Sequence, residues 1–313
     1  MKECFLAGHG AGAGGEPNTM IGDIAITPAL ALARAQADGL ERLDAQMLML
    51  LALGQSPHDR AWLLAHDTDP LPPDVASRFD ALVARRADGE PLAYLTGSRE
   101  FHGLTLQVDR RVLDPRSDTE TLVDWALDVL QQTQCAKVVD LGTGSGAIAL
   151  AIQKERPDLQ VHAVDVSTAA LQVARANGQA LGLPVHWHQG HWLDGLELRA
   201  FHLIVSNPPY IAQGDHHLAA LRHEPISALV SGDDGLDDIR TIVAQAPAHL
   251  APGGWLLMEH GFDQAEPVRD LLAQHGFVDV QSRRVHIRKL SLPSISDFIT
   301  EFLKAFCDSF FIG

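Results

Sequence analysis

The spacing of apolar positions changes along the chain, and each change predicts a different kind of structure. From Thr27 to about Arg86 the period is helical. Leu30, Ala33, Arg34 and Ala37 mark one helix, and Leu43, Met47, Leu50 and Leu51 form an apolar stripe on a second. Thr27 and Pro28 read as an N-cap followed by proline in the first turn. The proline-rich stretch Asp69 to Pro73 breaks the pattern before a further helix, Val75 to Arg86. Residues 20–90 therefore predict a small helical domain, marginal unless docked on something larger.

Residues 91–115 behave differently. Leu104, Leu106 and Val108 alternate with Thr105, Gln107 and Asp109, the mark of a half-buried strand. With the turn residues around it, this segment predicts a hairpin linker. A helix follows, Asp118 to Leu130. Beyond Lys137, short apolar runs alternate with helical pattern: Val138–Leu141, Val161–Val164, Leu203–Ser206 and Trp255–Glu259. Strands buried on both faces and separated by helices predict an α/β fold with a doubly wound, mostly parallel sheet over residues 116–284. The ligand crevice of such a sheet lies at the carboxyl ends of its strands.

The two ends of the chain fit neither pattern. Residues 1–19 are rich in Gly and Ala and bury too little to order themselves, so a disordered extension is expected. In the tail, 285–313, Val285, Ile287, Leu290 and Leu292 suit a strand that Pro293 stops. Phe298, Phe302 and Phe306 then share a helical face with no evident acceptor surface. The tail is expected to be poorly integrated into the sheet.

Composition narrows the function. The formal charge of −16 disfavours a general nucleic-acid coat protein, because such a surface repels phosphates at long range. Cys4, Cys135 and Cys307 are far apart and suggest neither a disulfide framework nor a metal knuckle, which fits a reducing cytoplasm. No run of eighteen apolar residues is present to span a membrane.

Candidate chemistry sits where strands end. The run Gly142, Thr143, Gly144, Ser145, Gly146 follows the first strand and opens a helix. Glycines there let the backbone approach a ligand and leave helix amides facing it. The spacing lacks the third glycine of the dinucleotide fingerprint, and a tight structural turn would also account for it. Asp165 ends the next strand, where a carboxylate can accept both hydroxyl protons of a ribose. Capping the next helix is the plainer alternative, but the preceding glycine turn favours ribose. Together they point to a nucleoside cofactor.

The third strand runs into Asn207, Pro208, Pro209 and Tyr210. Two prolines alone would merely stop a strand. Asn207 and Tyr210 ask for more. A planar amide or exocyclic amine is a poor nucleophile, because its lone pair is delocalised. An Asn oxygen and a rigid proline-held carbonyl can each accept one of its N–H bonds and aim the nitrogen at an electrophile. Tyr210 would supply an aromatic wall. With this motif the cofactor is read as S-adenosylmethionine.

From about Thr27 to Arg284 the chain resembles the release-factor glutamine methyltransferases, the HemK or PrmC family. The resemblance rests on Arg85 to Pro91, Tyr94 to Phe101, Pro115 to Glu120, the two motifs above, Glu224-Pro225, Ser231 to Leu236 and Glu259 to Gly261. It implies a Rossmann-like class I methyltransferase fold with a helical domain that recognises the substrate. Gly142 to Gly146 would cradle the cofactor, Asp165 would hold its ribose, and Trp192 would line its adenine. A core role for Trp192 fits the sequence nearly as well. Asn207, Pro208, Pro209 and Tyr210 would hold the glutamine of a class I peptide chain release factor, the expected partner. A cytoplasmic monomer is expected, with no direct nucleic-acid binding. Where the family usually has Ile-Pro-Arg-Pro, this chain has Asp114 to Ser117, which is expected to loosen that loop.

Rival readings are a glutamine methyltransferase of a ribosomal protein, an amino-methyltransferase of adenine or cytosine, and a cofactor-binding interaction protein without turnover. His186, His188 and His191 have a metal-like spacing but no acid or cysteine to complete it, so no metal is expected. Asp233, Asp234, Asp237 and Asp238 read as a solvated acidic patch at a helix start.

Overall fold

The computed structural model describes residues 26–283 and the backbone of 309–312. The expected extension at 1–19 and the apolar helical face around Phe302 lie outside those residues. Five helices come first: α1 (Pro28–Ala37), α2 (Arg42–Ala52), α3 (Arg60–Ala65), α4 (Pro73–Ala87) and α5 (Leu92–Thr96). Thr27 caps α1, its hydroxyl accepting from the Leu30 amide at 3.3 Å. These helices close on their own apolar cluster, centred on Leu48, Met49, Leu50, Leu63 and Phe79.

The buried faces differ from those read in the sequence. α1 buries Ala31, Leu32 and Ala35, whereas Leu30 and Ala33 face solvent. α2 buries Ala45, Leu48, Met49, Leu50 and Ala52; of the expected stripe Leu50 is buried, Met47 and Leu51 are partly buried and Leu43 is half exposed. In an Ala- and Leu-rich helix several stripes are apolar, and the neighbours rather than the period choose among them. The hairpin forms as expected, with β1 (Ser98–Phe101) antiparallel to β2 (Leu104–Gln107). The stretch before it, read as linker, includes the helical turn α5, ended by Gly97 in the left-handed region.

The remainder is the expected α/β sheet. Its elements are α6 (Glu120–Val129), β3 (Lys137–Leu141), α7 (Ala147–Glu155), β4 (Gln160–Asp165), α8 (Thr168–Leu181), β5 (His186–Gln189), β6 (Phe201–Ser206), α9 (Asp237–Gln245), β7 (Leu250–His260), α10 (Ala265–Gln274), β8 (Gln281–Arg283) and β9 (Ser309–Ile312). The strand order is β5-β4-β3-β6-β7-β9-β8. The pairs from β5 to β7 are parallel, and β9 is antiparallel to both β7 and β8. One face packs Trp125, Leu150 and Ile152 against the sheet, the other Ile239, Ile242, Val268 and Leu272. The tail expectation needs correcting at its end. Residues 309–312 join the sheet, because a Ser-Phe-Phe-Ile segment has high strand propensity and fills the gap between β7 and β8.

Two polar clamps join the parts. Glu90 accepts two bonds from Arg85, at 2.7 and 2.8 Å, and one from Arg110 at 2.9 Å. The hydrogen bond from Arg85 leads in lowering its pKa to about 2, against the cost of burial. On α8, buried Asn177 accepts from the Gln107 amide at 2.7 Å and donates to the Gln107 and Ser145 carbonyls at 3.0 and 2.9 Å. One amide thus fastens the hairpin to the glycine turn. Asn177→Ala should strand buried backbone groups and cost about 2–3 kcal/mol, read as a lower denaturant midpoint at unchanged slope.

Candidate active site

Strand register sets the level of the site. Leu141 of β3 pairs with Val164 of β4 and Ser206 of β6, and Ser206 pairs with Met258 of β7. The next residues, Gly142, Asp165, Asn207 and Glu259, are therefore neighbours along the carboxyl ends of four strands. A cavity of about 490 Å³ opens there, with Gly142, Gly144, Asp165, Trp192, Asn207 and Pro209 in its lining.

The glycine turn is held from beneath. Gly142 and Thr143 amides donate to the Val164 carbonyl at 2.9 and 3.0 Å. Gly142 has φ +70°, and a Cβ there would sit 3.0 Å from the Trp192 ring. Thr143 turns inward and donates to Asp140 Oδ2 at 2.6 Å, an oxygen that also accepts from the Ala149 amide at 3.3 Å. Burial raises the Asp140 pKa to about 7 despite those bonds. Ser145 offers its carbonyl to Asn177, and Gly146, at φ +85°, starts α7. The run predicted as a cradle thus divides into residues that face the cavity and residues that brace them.

Asp165 is 8% exposed at the cavity edge. Oδ2 accepts from the Gly144 amide at 2.9 Å and Oδ1 from the Ser167 amide at 2.8 Å. Burial pushes its pKa up, and those amides pull it back. Helix α8 is capped by Ser167, whose hydroxyl accepts from the Ala170 amide at 3.1 Å. Trp192 packs with Val139, Leu141 and Val164 while its ring also borders the cavity. It holds a left-handed φ of +54°, and its Nε1 donates to Asp238 Oδ1 at 3.0 Å. Asp238 is thus no mere solvated charge; it anchors the aromatic wall.

Beyond β6, Asn207 and Pro209 reach the cavity, Pro208 is buried, and Tyr210 borders a separate hollow of about 120 Å³. Asn207 Nδ2 donates to Thr119 Oγ1 at 3.1 Å. Thr119 donates to Glu259 Oε2 at 2.8 Å, and the Tyr210 hydroxyl to Glu259 Oε1 at 3.2 Å. Gln264 Nε2 donates to the Tyr210 carbonyl at 3.0 Å, and a Cβ at Gly235 would collide with that carbonyl.

The Asp114 to Ser117 loop is pinned, contrary to the looseness expected of it. Arg116 pairs with Glu224, whose other oxygen accepts from the Asp114 amide at 3.2 Å. Asp114 itself is buried beside Arg99. Among the histidines, His188 and His162 share a 3.0 Å hydrogen bond, and His186 stacks on His162. Burial leads in lowering the pKa of His162 to about 4, and burial also lowers that of His188. His191 stands apart at the cavity. Nothing in the sequence assigns an individual role to Thr119 or Glu259, and Asp238 reads there only as part of a solvated patch. The fourth strand ending in an acid, Trp255–Glu259, was the available signal for Glu259.

Comparison with known proteins gives this site its context. A model described as Methyltransferase small domain matches residues 119–275, and one described as PrmC N-terminal domain matches 29–97. The release factor glutamine methyltransferase of Xylella fastidiosa (strain Temecula1) is 52% identical over 254 residues, covering 80% of this chain and 91% of that protein. That of Escherichia coli (strain K12) is 43% identical over 257 residues, 81% of this chain and 91% of its own length. This chain belongs to the release factor glutamine methyltransferase family. Among solved structures, the hMettl16 catalytic domain, crystallised with the MAT2A 3'UTR hairpin 6, aligns with a TM-score of 0.54 at 14% identity. It covers 74% of this chain and 81% of that one, a likeness of fold alone.

The family's cofactor is S-adenosylmethionine, and the cavity suits an adenosyl group. Asp165 is a carboxylate that can take ribose hydroxyls, and Trp192 gives a flat apolar wall. Adding a methyl at Gly142 should force the Trp192 ring aside at a left-handed position that costs ~1–2 kcal/mol for other residues. Gly142→Ala is expected to weaken S-adenosylhomocysteine binding at least tenfold by calorimetry, with thermal stability reduced only modestly.

Proposed function

We propose that Asn207, Pro208, Pro209 and Tyr210 hold the side-chain amide of the glutamine in the Gly-Gly-Gln loop of a class I peptide chain release factor, and that Gly142 to Gly146, Asp165 and Trp192 hold the cofactor beside it. The observation that carries this reading is the shared cavity. Asn207 and Pro209 line the same space as Gly142, Gly144, Asp165 and Trp192. A nitrogen held at the first pair is brought next to whatever the second group binds.

The enzyme is an S-adenosylmethionine-dependent protein-glutamine N-methyltransferase. When bound, S-adenosylmethionine supplies the methyl group: the carbon–nitrogen bond forms as the carbon–sulfur bond breaks, and the amide proton leaves to water. The chain's own contribution is orientation. With Nδ2 committed to Thr119, Asn207 has its oxygen to offer one substrate N–H. The carbonyl of Pro208 is the natural acceptor for the other, because the proline rings restrict that backbone. Neutral acceptors around a neutral amide localise its lone pair without demanding a strong base. The active unit is read as a monomer. Among the described residues no helix is long and apolar enough to cross a membrane, and the site of action is read as the cytoplasm, where release factors work. None of the residues bordering the cavity lies on α1–α5, and those helices are read as a contact surface for the protein substrate.

Purified protein with labelled cofactor should label a release factor on its glutamine, and leave ribosomal protein and duplex DNA unlabelled in parallel reactions. Label on either of those, with none on the release factor, would overturn the substrate assignment. Asn207→Ala should lower turnover by roughly 10²-fold while cofactor affinity stays within a few fold, the scale of losing an orienting polar group. Asp165→Ala should do the opposite and weaken cofactor binding first. An unaltered cofactor dissociation constant would return Asp165 to a purely structural role.

A further inference from the structure

We propose that Thr119 and Glu259 are positioning residues that fix which end of the Asn207 amide faces the substrate, through a one-way chain of hydrogen bonds that ends on the Glu259 carboxylate. This rests on the reading of Asn207 as the acceptor for the substrate amide.

The two ends of an asparagine amide are nearly equal in size, so shape alone does not choose between them. A flip would point an NH₂ group at the substrate's own N–H and remove the acceptor. Chemistry chooses instead. An ionised carboxylate has only lone pairs to offer. Glu259 Oε2 lies 2.8 Å from Thr119 Oγ1, so the single hydroxyl proton of Thr119 points at Glu259. The Thr119 oxygen is then an acceptor toward its other neighbour, Asn207, 3.1 Å away. Asn207 must present Nδ2 there, which turns Oδ1 outward. The other carboxylate oxygen takes the Tyr210 hydroxyl at 3.2 Å. One group thereby ties both ends of the Asn207–Tyr210 segment. At 2% exposure, water does not compete for it.

The direction of the chain depends on charge. Burial leads in raising Glu259 to about 7, and Asp118 adds to the rise; Thr119, Tyr210 and Arg116 oppose it. Protonated Glu259 becomes a donor toward Thr119 or Tyr210 and no longer dictates the direction. Asp140 titrates in the same range, but it contacts Thr143 in the glycine turn and Ala149 in the first turn of α7. Its effect is therefore set aside by measuring kcat at saturating cofactor.

In the wild type, kcat should fall about tenfold per pH unit below about 7, and the Asn207 side-chain amide resonances should titrate with it. Both changes should vanish in Glu259→Gln, whose neutral amide can keep an oxygen toward Thr119 at every pH. Thr119→Val should lower kcat at least tenfold with cofactor affinity unchanged, and Thr119→Ser should restore it. In an Asn207→Ala background, Thr119→Val should do nothing further. If Thr119→Val keeps wild-type kcat and pH profile while Asn207→Ala is impaired, the positioning proposal is wrong and the Asn207 reading stands. The proposal also fails if Thr119→Val lowers kcat by the same factor with and without Asn207. If Asn207→Ala itself turns over normally, the underlying reading fails. Should Glu259→Gln not fold, the Val and Ser variants of Thr119 decide the matter alone.

Discussion

Parallel strand pairing carries the site. Hydrogen bonds between β3, β4, β6 and β7 lock Leu141, Val164, Ser206 and Met258 side by side, so residues far apart in the chain emerge together. A slip of one residue in β6 would exchange its two faces and present each side chain to the core shaped for the other. The Ser206 hydroxyl adds a check on the register by donating to the Leu141 carbonyl at 2.8 Å. Because both faces of the sheet are packed, register is specified by the two cores at once. The loops at the strand ends inherit that precision and need little stiffness of their own.

At those ends lie two buried acids whose charge the interior disfavours, Asp140 and Glu259. Each accepts bonds from groups in or beside a loop: Thr143 of the glycine turn and Ala149 of α7 in one case, Thr119 and Tyr210 in the other. Burying a carboxylate with so few partners is costly. The cost is met by the two packed cores. What the arrangement gives in return is geometry, since a short buried acceptor leaves its donors few other orientations.

Much of this was legible in the sequence, for identifiable reasons. The strands β3, β4, β6 and β7 are apolar runs bounded by turn residues, and the glycine turn and Asn207 motif follow directly from where those runs stop. The hairpin showed in its strict alternation. Other features did not show, because they arise only on folding. The buried faces of α1 and α2 are chosen by neighbours that no local period reveals. Strand β5, His186–Gln189, has no apolar run to announce it; it is an edge strand whose pairing with β4 makes it regular. Asn177 and Thr119 look like ordinary helix and loop residues until Gln107, Ser145, Asn207 and Glu259 are brought to them. The Asp114 loop is held by Arg116 and Glu224, a pairing across a long stretch of chain.

The position of β9 bears on how the molecule is made. Residues 309–312 lie between β7 and β8 although every other strand precedes them in the chain. During synthesis the parallel core can assemble as it emerges, since domains fold largely as units from the amino-terminal side. β7 must wait. Until residue 309 and its neighbours have left the ribosome, that strand keeps one row of amides and carbonyls unpaired. A polypeptide cut or stalled short of that point therefore carries an open sheet edge, ready to recruit a strand from another molecule.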